Sequence, residues 1–172
     1  MVAGVTPCFF RSFRISLSAA LRSRRFATKG LRLKPTSATL LNGLAFSLAC
    51  SGKFGEAEKA LRKINAEHDQ KTGLVATANW GLIAFRRGDT TAGRHLYRNA
   101  IDGFHRLGLP RMERLAKAYF AREAARVGLS DTSEIIAAAE RTEGPAWRES
   151  DFVMNAAREL LRELTVKRAA TA

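Results

Sequence analysis

Several things are scarce in this 172-residue chain, and each scarcity excludes something. It has two cysteines, Cys8 and Cys50. They form no C-x-x-C pair and are too few for a disulfide framework. Cys50 reads as a small apolar residue within a helix. Four prolines in the whole chain, with few valines and isoleucines, favour helix over sheet. No apolar run approaches the roughly 20 residues of a membrane span. No uninterrupted apolar core follows the first arginine, so a secretory signal is not expected. Alternating apolar and polar runs of useful length are also missing, so no strand is expected.

Acidic residues are absent from the first 55 positions, and the first to appear is Glu56. That segment holds nine of the 29 Lys and Arg, a charge of +9, which leaves only +4 for residues 56–172. The net charge of +13 is therefore mostly a property of the N-terminal part. A nucleic-acid argument from overall charge weakens accordingly. Within residues 1–34, Phe9, Phe10, Phe13, Leu17 and Leu21 recur at three- and four-residue steps among arginines. This pattern fits a basic amphipathic helix. The segment is read as a basic leader preceding a helical domain over residues 35–168. Its composition resembles a mitochondrial presequence, with Arg24-Arg25-Phe26-Ala27 resembling a matrix-peptidase site cut after Phe26. A membrane-surface helix, a functional basic arm and an accidental extension fit the same letters. A cytoplasmic location is expected, or the mitochondrial matrix if residues 1–26 are a presequence.

What is present is helical periodicity. Pro35 and Thr36 or Ser37 supply a start, and Leu40, Leu41, Leu44, Phe46 and Leu48 carry a helix to Cys50. A second helix follows "SGKFG", and a polar connector "NAEHDQKTG" follows that. The next helix is expected from Leu74 to Arg87, and another capped by Thr90 or Thr91 and ending at Gly108. Pro110 suits a first helical position. Gly128 ends that helix, and Asp131 and Glu134 have capping-box spacing. Gly144-Pro145 breaks the chain before a last helix near Ser150 or Asp151. About seven helices in antiparallel pairs result.

Gly81 and Gly93 fall inside these helices, where glycine costs about 1 kcal/mol relative to alanine. Aligning the turn glycines Gly52 and Gly88 suggests why. Leu44-Ala45 then matches Trp80-Gly81, Ala57 matches Gly93, Leu61 matches Tyr97, and Ile64 matches Ala100. Large and small positions recur together, so the small ones should let paired helices approach closely. A third unit around Phe120-Ala121 and Gly128 is degenerate past its turn, at Ser133, Ala137 and Glu140.

This pattern resembles the tetratricopeptide repeat over roughly residues 36–140. The resemblance implies an all-α fold of antiparallel helix-turn-helix repeats stacked as a short α-solenoid, with the last helix packed on its end. It implies a non-catalytic scaffold or adaptor that binds a protein or peptide segment in a groove lined by the first helix of each pair. Partner-binding residues would be Asn42, Phe46, Asn79, Leu82, Phe85 and Arg86. Phe46, Leu82 and Phe85 serve equally as packing between helices. On the groove reading, Phe46→Ala with Phe85→Arg abolishes capture and leaves the fold intact. The other readings are a basic helical nucleic-acid-binding protein, working through Arg86, Arg87, Arg94, Arg98, Arg111, Arg114, Lys117, Arg122 and Arg126, and a fragment of a longer repeat protein. No phosphate loop, dinucleotide fingerprint, zinc spacing or nucleophile–base pair is visible. No enzyme, cofactor or metal is therefore expected.

Overall fold

The computed structural model describes residues 24–64, 69–142 and 148–170, and these contain eight helices and no strand. They are α1 (24–33), α2 (Ala38–Cys50), α3 (Phe54–Leu61), α4 (Gln70–Arg86), α5 (Thr90–Arg106), α6 (Pro110–Val127), α7 (Thr132–Glu140) and α8 (Arg148–Ala169). The all-α expectation holds. None of these helices is long and apolar enough to cross a membrane. The chain forms two compact units, with the border between Asn79 and Trp80, inside α4.

In the first unit, Leu41, Ala45, Leu48 and Ala49 form the buried stripe of α2 and pack on Ala57, Ala60 and Leu61 of α3. α1 lies within the stretch read as a leader, yet Ala27 is buried and Gly30 sits against Leu40. The leader's expected helix over residues 9–21 lies outside the described residues, as does Gly144-Pro145.

In the second unit, α6 packs against α5, α7 and α8. Phe85, Tyr97 and Phe120 meet in one aromatic cluster. Tyr97 stacks on Phe120 at 5.5 Å between centroids, and Phe85 lies 6.0 Å from each. A second cluster joins Ala118, Ala121, Ile136, Ala139, Val153, Met154 and Ala157, drawn from α6, α7 and α8.

The turns repeat one device. Gly52, Gly88, Gly108 and Gly128 all have positive φ. In each turn the N–H after the glycine bonds a carbonyl five residues back: Lys53 to Leu48, Asp89 to Ala84, Leu109 to Phe104, Leu129 to Ala124. This Schellman closure satisfies carbonyls that the helix end would leave open, and the left-handed backbone it requires suits glycine.

Some local details differ from expectation. α4 begins at Gln70, so the second half of the polar connector is helical. Asp89, not a threonine, caps α5, its carboxylate accepting the Ala92 N–H at 2.9 Å. Asp131 precedes α7 but forms no cap bond. Its carboxylate instead accepts from the Arg94 guanidinium, a stronger charged donor.

The helix-interior glycines have a steric cause. A Cβ at Gly93 would lie 2.5 Å from Phe85 Cδ2 and 2.9 Å from its Cγ. At Gly81 it would meet the Tyr97 ring at 2.9 Å. Both rings are held in the aromatic cluster, so α4 and α5 have no room for a methyl group. Gly43, in α2, has nothing within 4 Å of the same position. The two alanine substitutions should therefore differ in sign. Gly93→Ala should destabilise by about 1–3 kcal/mol, because overpacking outweighs the gain in helix propensity. Gly43→Ala should stabilise by about 0.5–1 kcal/mol. Urea melts of the two variants check this, and equal shifts would remove the close-contact explanation.

Candidate partner-binding surface

The residues proposed to line a groove fall into three situations. In the first unit, Asn42 and Asn79 are buried and satisfy one another. The Asn79 amide donates to Asn42 Oδ1 at 3.1 Å and to its backbone carbonyl at 3.2 Å. The Asn42 amide donates to the Thr72 carbonyl at 3.2 Å. The pair stitches α2 to the start of α4. Phe46 is half-buried.

In the second unit, Leu82 and Phe85 are each only 1% exposed. They belong to the core, so neither offers a partner an apolar anchor in this conformation. Of the two readings of these side chains, packing between helices is the one realised, and Phe85→Arg could not spare the fold. Asn79, Leu82, Ile83 and Phe85 mark the inward face of α4.

Arg86 is half-buried and belongs to a cluster of three arginines around one glutamate. Its Nε and Nη2 donate to the two oxygens of Glu123 at 2.7 and 2.9 Å. Arg122 donates to Glu123 Oε1 from Nε and Nη2, at 3.0 and 2.8 Å. Arg126 Nε donates to Oε2 at 3.0 Å, and its Nη2 reaches the Phe85 carbonyl at 3.5 Å. The Arg122 guanidinium also lies 4.8 Å from the Tyr119 ring centroid, a cation–π distance. Glu123 is fully buried. Burial pushes its carboxyl up, but Arg122, Arg86 and Arg126 outweigh this and hold it down at about 2. Arg86 and Arg126 alone bring two positive charges to the one carboxylate that they share.

Three more of the basic set are similarly engaged. Arg94 holds Asp131, Arg114 holds Asp151 at 3.3 Å, and Lys117 holds Glu113 at 2.6 Å. The Arg94–Asp131 hydrogen bond lowers the Asp131 carboxyl and raises the Arg94 guanidinium. Six of the nine basic residues considered for nucleic acid thus hold acids within the fold. Four of the links join residues 37 apart: Asn42–Asn79, Arg86–Glu123, Arg94–Asp131 and Arg114–Asp151.

A feature that the sequence did not signal is an open cleft of about 640 Å³ beside the α5–α6 turn. His105, Pro110, Glu113, Lys117, Arg141 and Thr142 line it. Lys117 Nζ donates to Glu113 Oε1 and also lies 2.8 Å from Thr142 Oγ1. His105 Nδ1 lies 3.1 Å from Glu113 Oε2. Burial pushes the Glu113 carboxyl up, and the bonds and charges of Lys117 and His105 carry it below the ordinary value. The Thr142 hydroxyl donates to the Ala138 carbonyl at 3.1 Å, so its proton is engaged. The only local hint of this site was the i, i+4 spacing of Glu113 and Lys117. Thr142 comes from another helix end and carries no such mark. Among the described residues no group of three His, Cys, Asp or Glu is placed to hold a metal ion. Compared with protein-family models, curated proteins and solved structures, the chain matches none.

Proposed function

We propose that this chain is a non-catalytic scaffold that binds a protein partner, its helix pairs being degenerate repeats of the tetratricopeptide kind. The observation that carries this reading is the set of like helix pairs, α2–α3, α4–α5 and α6–α7, each turned by a left-handed glycine. The polar links at a constant 37-residue separation support it from a second side. A constant separation is what successive like units in parallel register produce. The residues assigned to contact differ from the sequence-derived set. Leu82 and Phe85 belong to packing, and Asn42 and Asn79 are occupied by each other. Arg86 is engaged by Glu123, which leaves Phe46, half-buried on the first unit, as the contact residue of the set.

The test is affinity capture with the full chain, with and without nuclease, read by mass spectrometry. A defined protein should survive nuclease treatment. Its recovery should fall at least about tenfold with Phe46→Ala, a half-buried position on the first unit, while circular dichroism shows the variant still folded. Capture lost on nuclease treatment would transfer the function to the basic side chains and nucleic acid, with a steep dependence on salt.

A further inference from the structure

α1 carries the two most exposed large apolar side chains among the described residues: Phe26 at 82% and Leu33 at 86%. They are seven residues apart. At 100° per residue they lie within about 20° of one another on the same helix face, about 10 Å apart along the axis. Arg25, Lys29 and Arg32, all exposed, flank them. The helix is anchored along a neighbouring face, not the opposite one. Ala27 is buried, and a Cβ at Gly30 would come within 2.7 Å of Leu40 Cδ1. The contact with α2 thus fixes which face of α1 points to solvent.

We propose that this face of α1 is a docking surface for an anionic lipid bilayer. The choice of occupant follows from the pairing of chemistries. Nucleic acid would engage the three cations but would leave Phe26 and Leu33 in water, gaining nothing from them. A neutral apolar groove on a protein would take the two apolar side chains and desolvate the cations at a loss. A membrane surface presents an anionic layer directly above an apolar one. Side chains of this kind divide between those layers, the arginine and lysine stems lying along the boundary with their charged ends in the headgroups. The charge of the chain agrees. No acidic residue precedes Glu56, so nothing in residues 1–55 repels an anionic surface. The binding is peripheral, since no described helix can cross the bilayer.

The test is co-sedimentation of the full chain with vesicles of phosphatidylcholine alone or mixed with phosphatidylserine. The chain should bind the mixed vesicles, bind the neutral ones far more weakly, and be released by salt. Changing Arg25, Lys29 and Arg32 together to glutamine should reduce partitioning on the order of 100-fold. The Phe26→Ser/Leu33→Ser variant should lose a comparable factor. Both sets of side chains are exposed, so thermal melts should match the parent and separate loss of docking from loss of fold. Failure of the parent chain to bind mixed vesicles overturns the proposal. So does undiminished binding by Phe26→Ser/Leu33→Ser, which would place any lipid contact elsewhere in the chain. A parent dimer that becomes a monomer in that variant, by sedimentation equilibrium without lipid, would also overturn it, assigning the face to a second copy.

Discussion

Replacing Glu123 by alanine should cost about 3–5 kcal/mol, because it leaves half-buried guanidiniums around an empty centre. Its neighbours cannot compensate. Among the described residues, no other ion pair is seen for Arg86, on α4, or for Arg126, on α6. The effect should depend on acid in a defined direction. The Glu123 carboxyl titrates at about 2 in the fold against about 4.5 for an ordinary glutamate. Unfolding raises that value, so the charged form stabilises the fold above pH 4.5, and the contribution fades as pH falls toward 2. A depression of this size corresponds to about 3 kcal/mol, which agrees with the mutational figure in scale. Urea melts of the parent and of Glu123→Gln should differ most at neutral pH and converge on acidification through that window. A gap that does not change with pH would mean that the carboxylate is not the organising group.

Phe85→Ala should also cost about 3–5 kcal/mol, as removal of a ring buried on all sides. The more telling measurement couples it to Gly93. The three atoms nearest to a Cβ at position 93 all belong to the Phe85 ring, Cδ2 at 2.5 Å and Cγ at 2.9 Å among them. With that ring removed, Gly93→Ala should no longer be harmful. The double variant should be as stable as Phe85→Ala, or more stable by up to about 1 kcal/mol as helix propensity takes over. Strictly additive losses in a double-mutant cycle would show that position 93 requires glycine for some other reason.

These two expectations mark where sequence reasoning reached and where it stopped. The helices, their glycine turns and the small residues between α4 and α5 were legible, because each leaves a local trace. A period of 3.6 residues, a glycine after the last periodic position and a recurring large–small alternation need no knowledge of distant contacts. The Glu123 centre was not legible. Read along the chain, Glu123 is one acid among the arginines of α6; in the fold, it gathers Arg86 from 37 residues away. Asp131 was misread for a related reason. Its spacing to Glu134 suits a capping box, and nothing local reveals that Arg94 outcompetes a backbone amide for it. Leu82 and Phe85 show a third kind of limit. An apolar side chain on a helix has the same spelling whether it anchors a partner or fills the core, and only burial separates the two. The leader boundary at residue 34 rested on composition, and composition does not register that Ala27 and Gly30 lie against their neighbours.

The links between paired helices have a consequence for how quickly the chain can find its fold. Three residues join α2 to α3, α4 to α5 and α5 to α6, and four join α6 to α7. Loops this short leave little chain entropy to lose on closure. α2 packs on α3, and α6 on α5 and α7, its neighbours along the chain, so pairings between consecutive segments are common, although the most extensive pairing, α6 with α8, skips one helix. Such near-neighbour pairings lower the contact order, and helical chains rich in them cross their folding barrier in microseconds to milliseconds. An emerging α2–α3 hairpin can thus close before the later helices have been synthesised, and the search for the native state proceeds pair by pair rather than all at once.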